Sequence, residues 1–148
     1  MPAPTTTRKT IAIPGRLVLL LDTSVLISLP QLDLPEEPTA LSAISYAELG
    51  LGIERATDPQ HRRSRIARRT WYSEVFDTPW LPFDTAAADG YAYLASIVTK
   101  SRPAHARSKD IMLAGQAYAL SARLATLNPK DFALVAEHVE IIVPERIE

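Results

Sequence analysis

Four carboxylates of this 148-residue chain stand beside predicted strands, where they could meet at one edge of a sheet. Asp22 ends the apolar run at residues 17–21, and Glu48 and Asp131 each follow another predicted strand. Asp110 begins a helix that leads into the strand before Asp131. Ligands of open α/β sheets bind beyond the carboxyl ends of the strands, so we expect these side chains to gather there. Gathered carboxylates repel each other unless a cation neutralises them, and oxygen ligands favour Mg²⁺ or Mn²⁺. The pattern therefore indicates metal-assisted hydrolysis of a phosphodiester.

Each carboxylate also has a purely structural interpretation. Asp22 is typical of a turn that ends a strand, and Glu48 completes a capping box with Ser45. Asp110 stabilises a helix start through its negative charge, and Asp131 is typical of a turn or a cap. Taken singly, none of the four indicates a site. Their joint placement at strand ends is what favours one.

The elements that must position these carboxylates alternate between strands and helices. Strands are predicted at residues 17–21, 39–44, 125–127 and 140–143, and helices at residues 45–55, 62–76, 84–99 and 110–123. Ile66 is expected on the apolar side of its helix, and Asp84 is expected to cap the helix that follows. Strands that alternate with helices predict an α/β fold, a three-layer α/β/α sandwich around a mostly parallel sheet.

The composition limits the classes of function. With 47% hydrophobic and 22% charged residues the chain is globular, and we expect one domain at residues 17–148 after a flexible extension at residues 1–16. Cysteine is absent, which excludes a disulfide scaffold, cysteine-bound zinc and a thiol nucleophile. No apolar run approaches the roughly 20 residues of a membrane span, and no secretory signal is present, so we expect a cytoplasmic protein without membrane contact.

Positive charge is concentrated in one segment of the chain. The net charge is only −1, but residues 54–69 carry six arginines against two acids, a local balance of +4. Such a segment is most often a solvated helix face. It is also typical of a surface that contacts an RNA backbone or an acidic partner chain. The sequence leaves these three interpretations open.

Four segments, in this order along the chain, resemble the motifs of PIN-domain ribonucleases, specifically the VapC toxins of bacterial toxin–antitoxin pairs. They are residues 20–27 (LLDTSVLI), 43–49 (AISYAEL), 110–117 (DIMLAGQA) and 125–132 (ATLNPKDF). The resemblance extends over about residues 17–144. The third segment departs from the family pattern at Gly115 and Gln116, and Leu127 stands where many relatives have arginine.

The resemblance implies a set of roles for these residues. Asp22, Glu48 and Asp110 would bind Mg²⁺, for which Mn²⁺ can substitute, and Asp131 is the candidate for a fourth acidic position. The supporting residues would be Thr23 and Ser24, which orient the Asp22 carboxylate, and Asn128 as a helper. The implied activity is endonucleolytic cleavage of RNA, often a tRNA or ribosomal RNA. Members commonly form homodimers and are inhibited by a VapB antitoxin whose tail fills the groove of the active site.

The predicted reaction is hydrolysis by a metal-activated water, leaving a 5′-phosphate and a 3′-hydroxyl. Basic residues near the carboxylates would hold the RNA backbone: Arg68, Arg69, Arg107 and Lys109. One alternative is a catalytically silent PIN-like module that binds RNA or protein. Another is a phosphoacceptor, a receiver domain or a dehalogenase-like phosphatase, in which Asp22 would be a nucleophile. The dehalogenase pattern needs a second aspartate where Ser24 stands, and a receiver needs its aspartate in mid-chain.

Overall fold

A four-stranded parallel sheet forms the centre of the fold. The computed structural model describes residues 18–76, 79–100 and 108–147, so the predicted extension at residues 1–16 lies outside the described part. The strands are β1 (Leu19–Leu21), β2 (Leu32–Asp33), β3 (Thr39–Ala40), β4 (Arg123–Ala125), β5 (Ile141–Ile142) and β6 (Glu145–Arg146). The parallel sheet has the order β3–β1–β4–β5, and β2 pairs with β6 in a small antiparallel ribbon. The predicted parallel sheet is confirmed.

Helices cover both faces of this sheet. They are α1 (Thr23–Leu26), α2 (Ala43–Glu54), α3 (Pro59–Phe76), α4 (Thr85–Val98) and α5 (Ser108–Ala119), with a 3₁₀ helix at Pro129–Val135. Alternate side chains of β1 point to opposite faces. Leu20 belongs to a core cluster with Leu94 of α4, whereas Leu21 belongs to a second cluster with Phe76 of α3. The sheet therefore lies between two helical layers. No helix in the described residues has the length and apolar character of a membrane span.

The boundary between the second predicted strand and the helix after it lies earlier in the chain than predicted. Strand β3 ends at Ala40, and α2 begins at Ala43 because Ser42 caps it by accepting from the Ile44 amide at 3.0 Å. The predicted capping box of Ser45 and Glu48 is therefore wrong. The short apolar stretch before Ser45 fits a buried strand and a buried helix equally, so hydrophobic pattern alone could not locate the boundary.

Helix α3 begins at Pro59, three residues before the predicted start. Proline is well suited to the first helical position, and the Asp58 carboxylate accepts from the Gln60 amide at 2.7 Å. The prediction that Ile66 lies on the buried side is wrong, because 41% of its surface is exposed. Only the second half of α3, including Phe76, packs against the sheet.

The other helices and strands begin or end within a few residues of their predicted boundaries. Helix α4 is confirmed, with Asp84 as its cap, accepting from the Ala87 amide at 2.9 Å. Helix α5 stops at Ala119, before its predicted end, because Ser121 has a φ of 52° and turns the chain into β4. The strand predicted at residues 125–127 consequently lies two residues earlier.

Helices α4 and α5 touch through their backbones at Gly90 and Gly115. A Cβ atom on Gly90 would lie 2.2 Å from the Gly115 carbonyl oxygen, and one on Gly115 would lie 2.4 Å from the Tyr91 amide nitrogen. Neither position can accept a side chain unless a helix moves, since the opposing atoms belong to the backbone. Gly115, one of the departures from the family pattern, therefore sets the separation of the two helices.

The adjacent departure, Gln116, joins α5 to the start of α2. Its buried side chain accepts from the Ser42 hydroxyl and donates to the Pro82 carbonyl at 3.1 Å. A buried amide with both ends bonded fixes the orientation of the helix that carries it. Gln116 thus holds the helix of Asp110 against the helix of Glu48.

Candidate functional site

Asp22 lies at the carboxyl end of the central strand β1, where it also caps α1. Its Oδ1 accepts from the Thr23 amide at 2.9 Å. Its Oδ2 accepts from the Ser24 hydroxyl at 2.8 Å and from the Thr126 hydroxyl at 2.7 Å. Only 8% of the residue is exposed. The carboxylate is therefore held in one orientation by three donors, two of which do not belong to helix capping.

The sequence pattern predicted no role for Thr126. It follows β4, and because β4 pairs with β1 in parallel register it stands beside Asp22. The Leu127 amide donates to the Ser24 hydroxyl and the Asn128 amide donates to the Thr126 hydroxyl, both at 3.0 Å. Those amides leave the two hydroxyl protons directed at Asp22. The predicted helper Asn128 contributes through its backbone in this contact.

Replacing Thr126 with valine should lower the free energy of unfolding by about 1–3 kcal/mol, the usual loss when a buried carboxylate loses one donor. Urea titration would measure the change. Thr39→Val is a matched control, because Thr39 is equally buried and its hydroxyl has no hydrogen-bond partner among the described residues. That control should be neutral or stabilising. Equal losses in the two variants would contradict a bond between Thr126 and Asp22 that contributes to stability.

Glu48 is joined to the same strand end through Thr23. The Thr23 hydroxyl lies 3.0 Å from Glu48 Oε1, to which it donates, and 2.9 Å from the hydroxyl of buried Ser45. Thr23 therefore reaches Asp22 only through its backbone amide, while its side chain orients Glu48. Since Glu48 lies well inside α2, its position reflects this contact and not helix capping.

Asp110 and Asp131 line a second, separate cavity. Asp110 lies in the first turn of α5 and Asp131 in the 3₁₀ helix, and both line one small cavity. Lys109 connects the two halves, because its Nζ lies 3.9 Å from Glu48 Oε2. The structure thus links Asp22 to Glu48 through Thr23 and places Asp110 and Asp131 at one cavity. Within the described residues, no three acidic or histidine side chains are grouped closely enough to hold a metal ion.

The surroundings of Asp22 suit a hard cation. All three of its hydrogen-bond donors are neutral. Across residues 18–76, 79–100 and 108–147, no lysine or arginine forms an ion pair with it. Carboxylate oxygens held in one orientation by neutral hydrogen-bond donors are the kind of ligand that Mg²⁺ and Mn²⁺ prefer. The donor chemistry at Asp22 and Glu48 therefore fits Mg²⁺ or Mn²⁺.

A groove of about 490 Å³ opens beside these residues between α2 and α3, and we call it the α2–α3 groove. Its lining includes Thr23, Glu48, Gly52, Ser64, Arg65 and Arg68. The lining combines residues of the candidate site with residues of the basic segment of α3. The groove therefore carries both negative and positive side chains.

The first arginines of α3 bind the end of α2. Arg62 donates to the Ile53 carbonyl at 3.2 Å and pairs with Glu54 at 3.1 Å, and Arg65 donates to the Gly52 carbonyl. The last carbonyls of a helix lack partners within the helix and carry partial negative charge, which arginine neutralises. This part of the basic segment is therefore more than a solvated face.

The two arginines of α3 that were predicted to hold RNA lie in different surroundings. Arg68 lines the α2–α3 groove and approaches the Ile27 carbonyl at 3.4 Å. Arg69 instead stacks on Tyr46, 4.0 Å from the ring centroid. Burial raises the pKa of the Tyr72 phenol, and the charge of neighbouring Arg68 offsets part of that rise. Arg107, also predicted to contact RNA, lies outside the described residues.

Solved structures share this fold. One chain of VapBC-5 from Mycobacterium tuberculosis, a member of the VapBC family of toxin-antitoxin systems, is 28% identical; the match covers 88% of this chain and 98% of that one, with a TM-score of 0.68. FitAcB from Neisseria gonorrhoeae is 26% identical over 84% of this chain and 96% of that one, with a TM-score of 0.64. VapBC2 from Rickettsia felis, bound to promoter DNA, has 17% identity over 87% and 100% of the two chains and a TM-score of 0.69, a likeness of fold alone. No protein-family model and no curated protein matches the sequence.

Proposed function

We propose that this chain, which has the VapC-type PIN-domain fold, is a metal-dependent endoribonuclease and the toxin of a toxin–antitoxin pair. The observation that carries the proposal is Asp22, a nearly buried carboxylate held by three neutral donors at the end of the central strand. Its position beside Glu48 and a partly basic groove supports a site for cation and phosphodiester together. The substrate would be tRNA or ribosomal RNA.

In this proposal the metal ligands are Asp22, Glu48, Asp110 and Asp131, and the ion is Mg²⁺ or Mn²⁺. When bound, such an ion activates water and stabilises the leaving oxygen of a phosphodiester. The protein's own part is to hold the ligands. Ser24 and Thr126 fix one oxygen of Asp22, and Thr23 fixes one oxygen of Glu48. Hydroxyl donors that orient carboxylates in this way typically affect metal affinity or activity by about 10- to 100-fold.

The proposed partners are a VapB-type antitoxin and a second copy of the chain. Support for the antitoxin comes from the VapBC-5 complex, whose matching chain is covered almost completely at 28% identity. The homodimer rests on resemblance to the family.

Removal of divalent metal should abolish cleavage of total bacterial RNA by the purified chain, since carboxylates alone cannot stabilise the charge of the leaving oxygen. Electrophoresis would show discrete fragments with Mg²⁺, none with EDTA, and recovery when Mg²⁺ or Mn²⁺ is restored in excess. The fragments should carry 5′-phosphates and 3′-hydroxyls, which adaptor ligation detects. The same fragment pattern in EDTA would contradict the proposal.

A catalytically silent module that binds RNA or protein is the second candidate. Two observations favour it. Glu48 pairs with Lys109, and within the described residues no three acidic side chains lie close enough together to hold a metal ion. This module would bind RNA in the presence of Mg²⁺ and leave every RNA of the cell intact. The cleavage experiment therefore separates the two functions.

A further inference from the structure

We propose that the α2–α3 groove is a subsite for one nucleotide of single-stranded RNA, with Arg65 and Arg68 as its phosphate-binding residues. The inference rests on the proposed function, because it names where the substrate lies next to the reacting carboxylates. It also separates Arg68 from Arg69, which the basic segment alone does not distinguish.

The size and surface of the groove suit a nucleotide. Small-ligand pockets typically enclose about 300–1,000 Å³, and the groove measures about 490 Å³. Leu49 and Ile27, which is 50% exposed, give it an apolar wall. The groove is unfilled at Gly52, where the nearest atom to an added Cβ is a nitrogen of Arg65 at 4.0 Å. A base or ribose could rest on this wall while polar groups meet the phosphate.

A backbone carbonyl holds each of the two arginines in position and occupies only part of its hydrogen-bonding capacity. Arg65 donates to the Gly52 carbonyl and Arg68 approaches the Ile27 carbonyl. A guanidinium has five N–H donors, so each retains donors for a phosphate. Charge-assisted bonds from arginine to phosphate are among the strongest in proteins, and a side chain already held in place loses less freedom on binding.

The polar residues of α3 that line the groove are spaced so that they lie on one side of the helix. Each of His61, Ser64, Arg65 and Arg68 lies three or four residues from at least one other, which places them on one side of the helix, and all four line the groove. Glu48 lines the same groove, and its charge repels a phosphate that lacks a cation. The groove therefore favours binding of a phosphate at its arginines. An occupant that continues toward Glu48 reaches the candidate site, which favours substrate RNA over an acidic peptide.

The test is binding of a fluorescein-labelled single-stranded RNA oligonucleotide in EDTA, measured by anisotropy, so that no cleavage is required. Gly52→Leu fills the groove and Arg68→Ala removes a phosphate partner. Each should raise Kd by at least about tenfold, equivalent to about 1.4 kcal/mol. Arg63→Ala is the matched control, because Arg63 lies on the same helix as Arg68 but does not line the groove. This control should change Kd by less than about threefold.

Circular dichroism would establish that the variants are folded. Equal effects of Arg68→Ala and Arg63→Ala, or unchanged binding by Gly52→Leu, would overturn the subsite, as would a wild-type chain that does not bind the RNA. Competition by polyglutamate at equal charge would reassign the groove to a protein partner. If the subsite is correct but the chain is not a nuclease, RNA binding in EDTA would still depend on the groove residues, and addition of Mg²⁺ would produce no cleavage.

Discussion

Asp110→Asn is expected to reduce the rate of RNA cleavage by at least about 100-fold, more than the loss of a residue that only supports a ligand. The amide keeps the shape of the side chain but removes the negative charge with which Asp110 would hold the cation. Asp110 lies in the first turn of α5, where a negative charge stabilises the helix by only about 0.3–1 kcal/mol. The variant should therefore fold normally. Initial cleavage rates at saturating Mg²⁺ and thermal unfolding measure the two effects separately.

Asp89→Asn is the matched control for this variant. Asp89 is exposed on α4, so its replacement removes one carboxylate without changing the cavity that Asp110 and Asp131 share. Its cleavage rate should stay within about twofold of the wild type, as expected of a surface substitution. If Asp110→Asn also retained half of the wild-type rate, Asp110 would not be a metal ligand.

Gly115→Ala is expected to lower the free energy of unfolding by about 3 kcal/mol or more, the upper range for overpacking in a core. The added methyl group would lie 2.4 Å from the Tyr91 amide nitrogen, and backbone atoms cannot move aside as a side chain can. The expected decrease in Tm is about 10 °C for a domain of this size, at a few degrees for each kcal/mol. Differential scanning calorimetry would measure it.

Gly52→Ala serves as the control for the loss of a helical glycine. Its Cβ would make only an ordinary contact, 4.0 Å from a side-chain nitrogen of Arg65, so alanine should stabilise α2 by up to about 1 kcal/mol. The two substitutions are chemically identical and are expected to change stability in opposite directions. A wild-type Tm for Gly115→Ala would mean that α4 and α5 do not meet through their backbones at this crossing.

The sequence could predict the class of fold because its signals there are local. The apolar run before Asp22 and the spacing of apolar residues in α4 correspond to elements that are present. Boundaries failed where two local signals competed. Ser42 and Ser45 are both acceptable caps three residues apart, and only packing selects Ser42, whose hydroxyl also binds Gln116.

The candidate site could be predicted only in part, for a related reason. Asp22 was identifiable because it ends a strand, but its partner Thr126 is 104 residues away and shows no distinguishing pattern. Thr23 also acts through a contact with a residue distant in sequence, since its hydroxyl binds Glu48. Likewise, a cluster of arginines looks uniform in sequence, yet Arg68 faces a groove and Arg69 stacks on an aromatic ring. Pairing between distant elements decides these roles.

The pairing of β1 with β4 has a consequence for synthesis of the chain. Asp22 is translated early, but Thr126 becomes available only after the ribosome has added another 104 residues and released them from its exit tunnel. Until then β1 lacks one of its two neighbouring strands, and the carboxylate lacks one of its three donors. Domains fold as units during synthesis. A nascent chain therefore cannot assemble this carboxylate site on the ribosome that is making it until Thr126 has left the exit tunnel.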